Sequence, residues 1–290
     1  MTRDTQMRAV RLHVAGDPAS LDLEEAELPQ PRPGEVLVRV HAAAITRDEL
    51  DWPEDRLPAI PSYELSGVVV ATGGEVFALT SFDRDGVAAD YAVVPADVLA
   101  PKPRTVSHAE AASIPLPALS AWQGLFDYGS LEAGQRVLVH GAAGGVGAYA
   151  VQLAKHRGAD VVATASSGNI DAVRALGADE VIDYTTTAFE DAAGTVDLVF
   201  DTAGGERLQR SPAVLAPGGR LVSVAEGPPP GGVYFVVEPN RAQLAEIGRL
   251  VDEGLVRPVV AEVFPLEQAR TAFERSLAGS RRGKLVLEVA

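Results

Sequence analysis

Residues 140–148 read HGAAGGVGA, and the flanks of this glycine cluster decide the fold. Glycine alone serves any tight turn that needs positive φ. Here the cluster follows an apolar run, RVLVH (136–140), and precedes AYAVQLAK and then VVATA (161–165). A strand, a glycine turn, a helix and a second strand fit within the roughly 30 residues of a βαβ unit. Ala142, Gly144 and Gly147 then match the A-x-G-x-x-G form of the dinucleotide fingerprint. Gly144 lets backbone approach a pyrophosphate, and Gly147 lets helix pack on strand. The helix N-terminus offers free N–H groups and the positive end of its dipole to that anion.

Downstream, EVID (180–183), VDLVFD (196–201), RLVSV (220–224) and YFVV (234–237) alternate with helical runs, the pattern of a doubly wound parallel sheet. Upstream, from Met7 to Leu99, short β-like runs are separated by Pro, Gly and Asp, which predicts an antiparallel or mixed β unit. RDELDWPEDR (47–56) breaks that rhythm and reads as a surface loop or short helix. The texture changes near Pro101. After Glu238, two amphipathic helices (RAQLAEIGRLVDEG and LEQARTAFERSLAG) and two short strands can pack back on the first unit.

The end of the second strand reads Thr164-Ala165-Ser166-Ser167, with no Asp or Glu to hold both ribose hydroxyls of NAD. An acid there would repel the 2′-phosphate of NADP, so its absence permits NADPH. No Arg or Lys stands there either. Other chemistries lack their motifs: there is no Tyr-x-x-x-Lys pair and no G-x-S-x-G elbow, and GSRRGKL (279–285) is too short for a phosphate-binding P-loop.

Composition narrows the classes further. A net charge of −15 opposes nucleic-acid binding. With no cysteine there is no disulfide, thiolate nucleophile or Cys-ligated zinc. His13, His41, His108, His140 and His156 are scattered without ligand spacing, and read as surface or strand-end residues. The N-terminus has no apolar signal core and no stretch spans a bilayer, so a cytoplasmic protein with no membrane partner is expected.

PGEVLVRVHAAAIT, ELSGVVVATG, VLVHGAAGGVGAYAVQLAK, LGADEVIDY, VDLVFDTAGG, LAPGGRLVSV and RGKLVL, in this order, resemble the medium-chain dehydrogenases/reductases, specifically the zinc-free quinone oxidoreductase branch that includes zeta-crystallin. The resemblance implies an α/β protein: a GroES-like β-rich substrate domain (1–107 and 239–290), a Rossmann domain (108–238), and NADPH in the cleft between them. It places Gly144, Gly145, Val146 and Gly147 on the pyrophosphate, Ser166 on the 2′-phosphate and Tyr184 near the adenine. Thr202, Ser120 and Thr46 would face the nicotinamide ribose or ring. Thr46 and Tyr63 stand where zinc-dependent relatives carry a cysteine and a histidine, so no metal is expected. ATGGEV (71–76) is shorter than the matching stretch of many relatives and reads as a shortened surface turn.

The expected reaction is hydride transfer from NADPH to a quinone or to the β-carbon of an α,β-unsaturated ketone. Such acceptors spread the developing charge by conjugation and need hydrogen-bond donors rather than a Lewis acid. Backbone N–H groups or the hydroxyls of Thr46 and Tyr63 are candidate donors, with solvent delivering the proton. Asp48 and Glu49 are alternative acids, in an acidic stretch whose carboxylates are ordinarily solvated. Rival expectations are a tailoring enoyl reductase of a biosynthetic pathway and a non-catalytic NADPH-binding structural or sensor protein. A homodimer paired through the YFVV edge is also expected from the resemblance.

Overall fold

The computed structural model describes residues 5–53, 55–279 and 282–290. Arg281, from the arginine pair in GSRRGKL, lies outside them. In chain order the elements are β1 (Gln6–Leu12), β2 (Leu21–Glu27), β3 (Glu35–Ile45), β4 (Glu64–Val69), β5 (Glu75–Leu79), β6 (Tyr91–Pro95), β7 (Ala100–Pro101), α1 (His108–Ala112) and α2 (Pro115–Trp122). Then come β8 (Arg136–His140), α3 (Gly145–His156), β9 (Asp160–Ala165), α4 (Ile170–Ala175), β10 (Glu180–Asp183), α5 (Phe189–Ala192), β11 (Val196–Asp201), α6 (Gly205–Arg210), β12 (Leu215–Ser223) and β13 (Val233–Tyr234). The chain ends with α7 (Arg241–Asp252), β14 (Val260–Pro265), α8 (Ala269–Leu277) and β15 (Lys284–Glu288).

Two larger sheets result. One is parallel, in the order β10-β9-β8-β11-β12-β13, and it is a Rossmann arrangement. Its strands are apolar because both faces are covered: Val137 and Val139 enter one core, and Leu138, between them, enters another. The chain runs outward from β8 to β9 on one side and returns to β11 on the other, so the switch point lies between the ends of β8 and β11. The second sheet is mixed, in the order β14-β15-β3-β4-β5-β7 with β6 also on β3, and forms the GroES-like β-rich part. β15 pairs antiparallel with β3, which returns the C-terminal segment to the N-terminal sheet.

α2 joins the two parts. Its residues are almost wholly buried, and it packs on α3, α7, β4 and β5. Tyr63, Phe77 and Leu79 share one core with Leu119, Tyr149 and Leu244, so the two sheets meet across a buried, largely apolar seam. Each such large side chain contributes about 1.5–3 kcal/mol on burial. α7 buries Leu244, Ile247, Leu250 and Val251 on one stripe, with Asn240 as its N-cap and Gly254 (φ 73°) just beyond its C-terminus.

Several expectations are refined. The strand predicted at 234–237 is only Val233–Tyr234, because Phe235 makes a last bond to Ser223 O and the chain then leaves the sheet. β12 starts earlier than predicted, at Leu215, with an irregular register against β11. α1, counted by the resemblance with the Rossmann part, packs on β3, β4 and β15. ATGGEV is the tight turn between β4 and β5, closed by Gly73 N–H to Val69 O at 2.8 Å. Among the described residues no helix is long and apolar enough to cross a membrane.

Candidate active site

The glycine cluster turns sharply out of β8. Gly141 has φ 73°, and a Cβ there would stand 2.5 Å from Thr202 Oγ1. Gly144 is the N-cap of α3 and brings no capping side chain, so the first-turn N–H groups of Gly145, Val146 and Gly147 have no side-chain cap. A Cβ on Gly147 would meet Gly141 O at 2.3 Å and Ala142 Cα at 2.7 Å. Backbone therefore packs on backbone. The loop offers what an anionic pyrophosphate could use, a helix start whose N–H donors have no side-chain cap.

Three other residues expected near the cofactor, Thr202, Ser166 and Tyr184, directly follow the C-terminal ends of strands of the same sheet. Thr202 follows β11 and donates to His140 O at 2.8 Å, tying the two sides of the switch point together. Ser166 follows β9, and its Oγ accepts from Asn169 Nδ2 at 3.0 Å. Tyr184 follows β10, is 40% exposed, and lies beneath the Arg207 guanidinium at 4.3 Å. Ser120 is buried in α2, where its one proton is committed to Leu116 O at 2.7 Å. It can offer only lone pairs. Asp201, at the end of β11, accepts from Ser223 Oγ at 2.8 Å and Gly204 N–H at 3.0 Å, which fixes the turn after Thr202; burial raises its pKa.

His140 is a strand-end residue as expected but wholly buried, bonded to Thr164 and Ser211. Burial, with Arg207 and Arg210 adding to it, pushes its pKa down to about 3. It is a neutral strut.

The second half of the site is built on β3, β4 and β15. Lys284 Nζ lies 2.6 Å from Glu64 Oε1 and donates to Thr46 Oγ1 at 2.8 Å. The other oxygen of Glu64 accepts from Leu116 N–H at 2.8 Å, at the start of α2. Glu64 is fully buried, and the Lys284 side chain is 9% exposed. Tyr63 is fully buried against Trp52 and Phe82, with ring centroids at 5.5 and 5.4 Å. Its hydroxyl makes no hydrogen bond of normal geometry among the described residues but lies beside the Arg56 guanidinium; burial first and then Glu49 raise its pKa, and Arg56 opposes them. Ser62, just before it, sits at φ 67°, a conformation that costs a non-glycine residue about 1–2 kcal/mol. Its complete burial and the Val87 N–H bond to its carbonyl at 2.7 Å hold that conformation in place.

Glu49 corrects the sequence expectation. Asp48 is exposed, but Glu49 in the same acidic stretch is only 1% exposed, at a short 3-10 turn. Ser62 Oγ donates to it at 3.4 Å. Burial, with Glu64 adding to it and Lys284 opposing, pushes its carboxyl up to about 8. The stretch reads as solvated because of its charge density; its apolar neighbour Leu50 is the signal that one turn faces inward.

The two halves meet at Lys284. A Cβ on Gly145 would lie 3.5 Å from Lys284 Cδ, so the lysine stem runs past the start of α3 before its ammonium reaches Thr46 and Glu64. Over residues 32–104 the chain matches the alcohol dehydrogenase GroES-like domain, and over 176–287 the zinc-binding dehydrogenase family. It is 33% identical to the NADPH-dependent alkenal/one oxidoreductase of Arabidopsis thaliana, over 90% of this chain and 73% of that protein. The chain belongs to the medium-chain dehydrogenase/reductase family. The structure of the quinone oxidoreductase from Coxiella burnetii superposes on this dehydrogenase/reductase with a TM-score of 0.90 at 31% identity, covering 98% of this chain and all of that one. A segment of the Spectinabilin polyketide synthase system protein NorB from Streptomyces orinoci is 39% identical over 88% of this chain, which spans 13% of that much longer protein. The protein is thus an oxidoreductase of a family that binds a nicotinamide dinucleotide. Nothing in RGKLVL marks Lys284 as a site residue, because a lysine opening a strand is ordinarily a solvated end.

Proposed function

We propose that this medium-chain dehydrogenase/reductase is an NADPH-dependent reductase of quinones or α,β-unsaturated ketones that works without a metal. The observation that carries the reading is the placement of Lys284, whose stem borders the glycine loop and whose ammonium meets Thr46. NADPH bound along the loop would supply the hydride. Gly144, Gly145, Val146 and Gly147 would hold its pyrophosphate, with Ser166, Tyr184, Thr202 and Ser120 placed along the rest of the cofactor. Thr46, whose oxygen accepts from Lys284 and whose hydroxyl makes only a long 3.5 Å contact to Glu64 Oε1, is the donor we assign to the oxygen that gains charge as the acceptor is reduced. Tyr63 brings a hydroxyl with no hydrogen bond of normal geometry among the described residues. Glu49, neutral at pH 7, is a buried proton source beside them.

Zinc fits these residues poorly. The Thr46 oxygen already accepts from an ammonium at 2.8 Å, Tyr63 is a phenol packed among aromatic rings, and the chain has no cysteine. A lysine cation beside the donor set opposes a dication by simple Coulomb repulsion. Homodimerisation and a cytoplasmic location complete the proposal.

The test is NADPH consumption with 9,10-phenanthrenequinone and with a simple enone, on protein whose metal content has been measured. Turnover at sub-stoichiometric zinc supports the reading, and turnover that tracks added zinc sinks it. The likeness to NorB supports a second reading, an enoyl reductase acting on one biosynthetic intermediate. That reading expects reduction of an enoyl thioester and indifference to quinones. Tight NADPH binding with no turnover on any of these acceptors would point to a non-catalytic binding protein.

A further inference from the structure

Arg282 lies on the segment leading into β15, yet its side chain ends on the Rossmann part. Its Nε donates to Asn169 Oδ1 at 2.6 Å, and its Nη2 donates to the carbonyl of Gly168. Asn169 donates in turn to Ser166 Oγ at 3.0 Å, so the guanidinium is one side chain removed from the residue that follows β9. The arginine's own backbone is fixed. Next to it Gly283 has φ 81° and is pressed so closely on Val259 that a Cβ would stand 2.1 Å from its carbonyl oxygen, while Lys284 N–H bonds that same oxygen at 2.9 Å.

Among the described residues no carboxylate pairs with Arg282. Arg270, Arg275 and Lys284, its described basic neighbours in sequence, face Asp22, Glu262 and Glu64 at 2.9, 3.6 and 2.6 Å. Among the described residues Arg282 has only neutral acceptors, in a chain whose net charge is −15. The space above the loop is open, since a Cβ on Gly168 would meet nothing within 4 Å. Of the carboxylates around this loop, Asp183 at the end of β10 is bonded by Ser167 Oγ at 2.6 Å and by Thr185 at 2.6 and 2.9 Å, and the exposed Asp171 faces Arg174 at 3.6 Å. A guanidinium with spare N–H donors, an adjacent serine and open space suit a phosphate monoester.

We propose that Arg282 determines the cofactor's specificity: it is the cation that meets the adenosine 2′-phosphate at the end of β9, delivered from the β-rich part rather than from the Rossmann part. The proposal rests on the NADPH reading above. It accounts for the missing basic residue after the second Rossmann strand, and it makes the 2′-phosphate a bridge between the two parts of the chain.

Calorimetric titration of the whole protein with adenosine 2′,5′-bisphosphate and with 5′-AMP isolates the 2′-phosphate without any turnover. The wild-type protein is expected to bind the bisphosphate about 10- to 100-fold more tightly than 5′-AMP. In R282Q that preference falls about tenfold or more while 5′-AMP affinity stays the same, and R282K keeps part of it. If R282Q keeps the full preference, Arg282 is not the specificity residue although the NADPH reading stands. If wild type shows no preference, the NADPH reading itself fails. If R282Q loses 5′-AMP affinity too, Arg282 is an interdomain strut and the proposal is overturned.

Discussion

The ammonium of Lys284 stands 2.6 Å from Glu64 Oε1, with the carboxylate wholly buried and the lysine side chain nearly so. Such a pair is held by mutual attraction against a large desolvation penalty, so removing one partner strands the other. Lys284→Met and Glu64→Gln are each expected to cost about 3–5 kcal/mol, and Lys284→Met combined with Glu64→Leu to recover most of that loss. Urea unfolding of the three variants measures it. Additive losses in the double variant would mean that the two residues do not depend on each other.

Glu49 should make stability fall with rising pH. Its folded pKa is raised to about 8 from an ordinary value near 4.5, so between those values the folded state binds more protons than the unfolded state. Stability is therefore highest in this respect below about pH 4.5 and is lost progressively as pH rises toward 8, with a slope of at most about 1.4 kcal/mol per pH unit. Glu49→Gln keeps the shape and removes the proton. Melting temperatures recorded from pH 5 to 9 should show a flatter profile in the variant, which overtakes wild type at the alkaline end; parallel profiles would remove Glu49 from this role.

Gly147→Ala tests the close packing of the loop. The added methyl would stand 2.3 Å from the Gly141 carbonyl, where neither backbone has room to yield. A loss of about 1–3 kcal/mol is expected, together with weakened NADPH binding. Gly168→Ala, where the methyl meets nothing within 4 Å, is the control and should be near neutral by thermal melting.

At the edge of the parallel sheet, β13 leaves Val233 and Tyr234 exposed at 39 and 49%, with Val236 just beyond it exposed at 57%. An apolar edge strand invites a second copy. The wild-type protein is expected to sediment as a dimer and Tyr234→Lys as a monomer with unchanged circular dichroism. A wild-type monomer at micromolar concentration would rule this surface out.

Much of the Rossmann part was legible because it depends on local rules. RVLVH, EVID and VDLVFD are β8, β10 and β11 to the residue: the central β8 and β11 carry apolar runs because both faces are covered, and the edge strand β10 is bounded by turn residues on both sides. The glycine turn was readable for the same reason, each glycine answering a steric demand set within a few residues. YFVV was overextended because an apolar run does not say where a sheet runs out of partners. Glu49 reads as solvated from its own acidic stretch, because its burial depends on residues outside that stretch.

The sequence by itself determined the alternation of strand and helix, the glycine turn at the start of α3 and the absence of an acid after β9, since each is a property of a contiguous stretch. Only the tertiary structure decided what those pieces face. β15 returns to β3 and brings Lys284 to Thr46 and Glu64, and it sets Arg282 against Gly168 and Asn169. Charges so far apart in the chain are paired by sheet register and α2 packing. Neither is written in the spacing of the residues that meet.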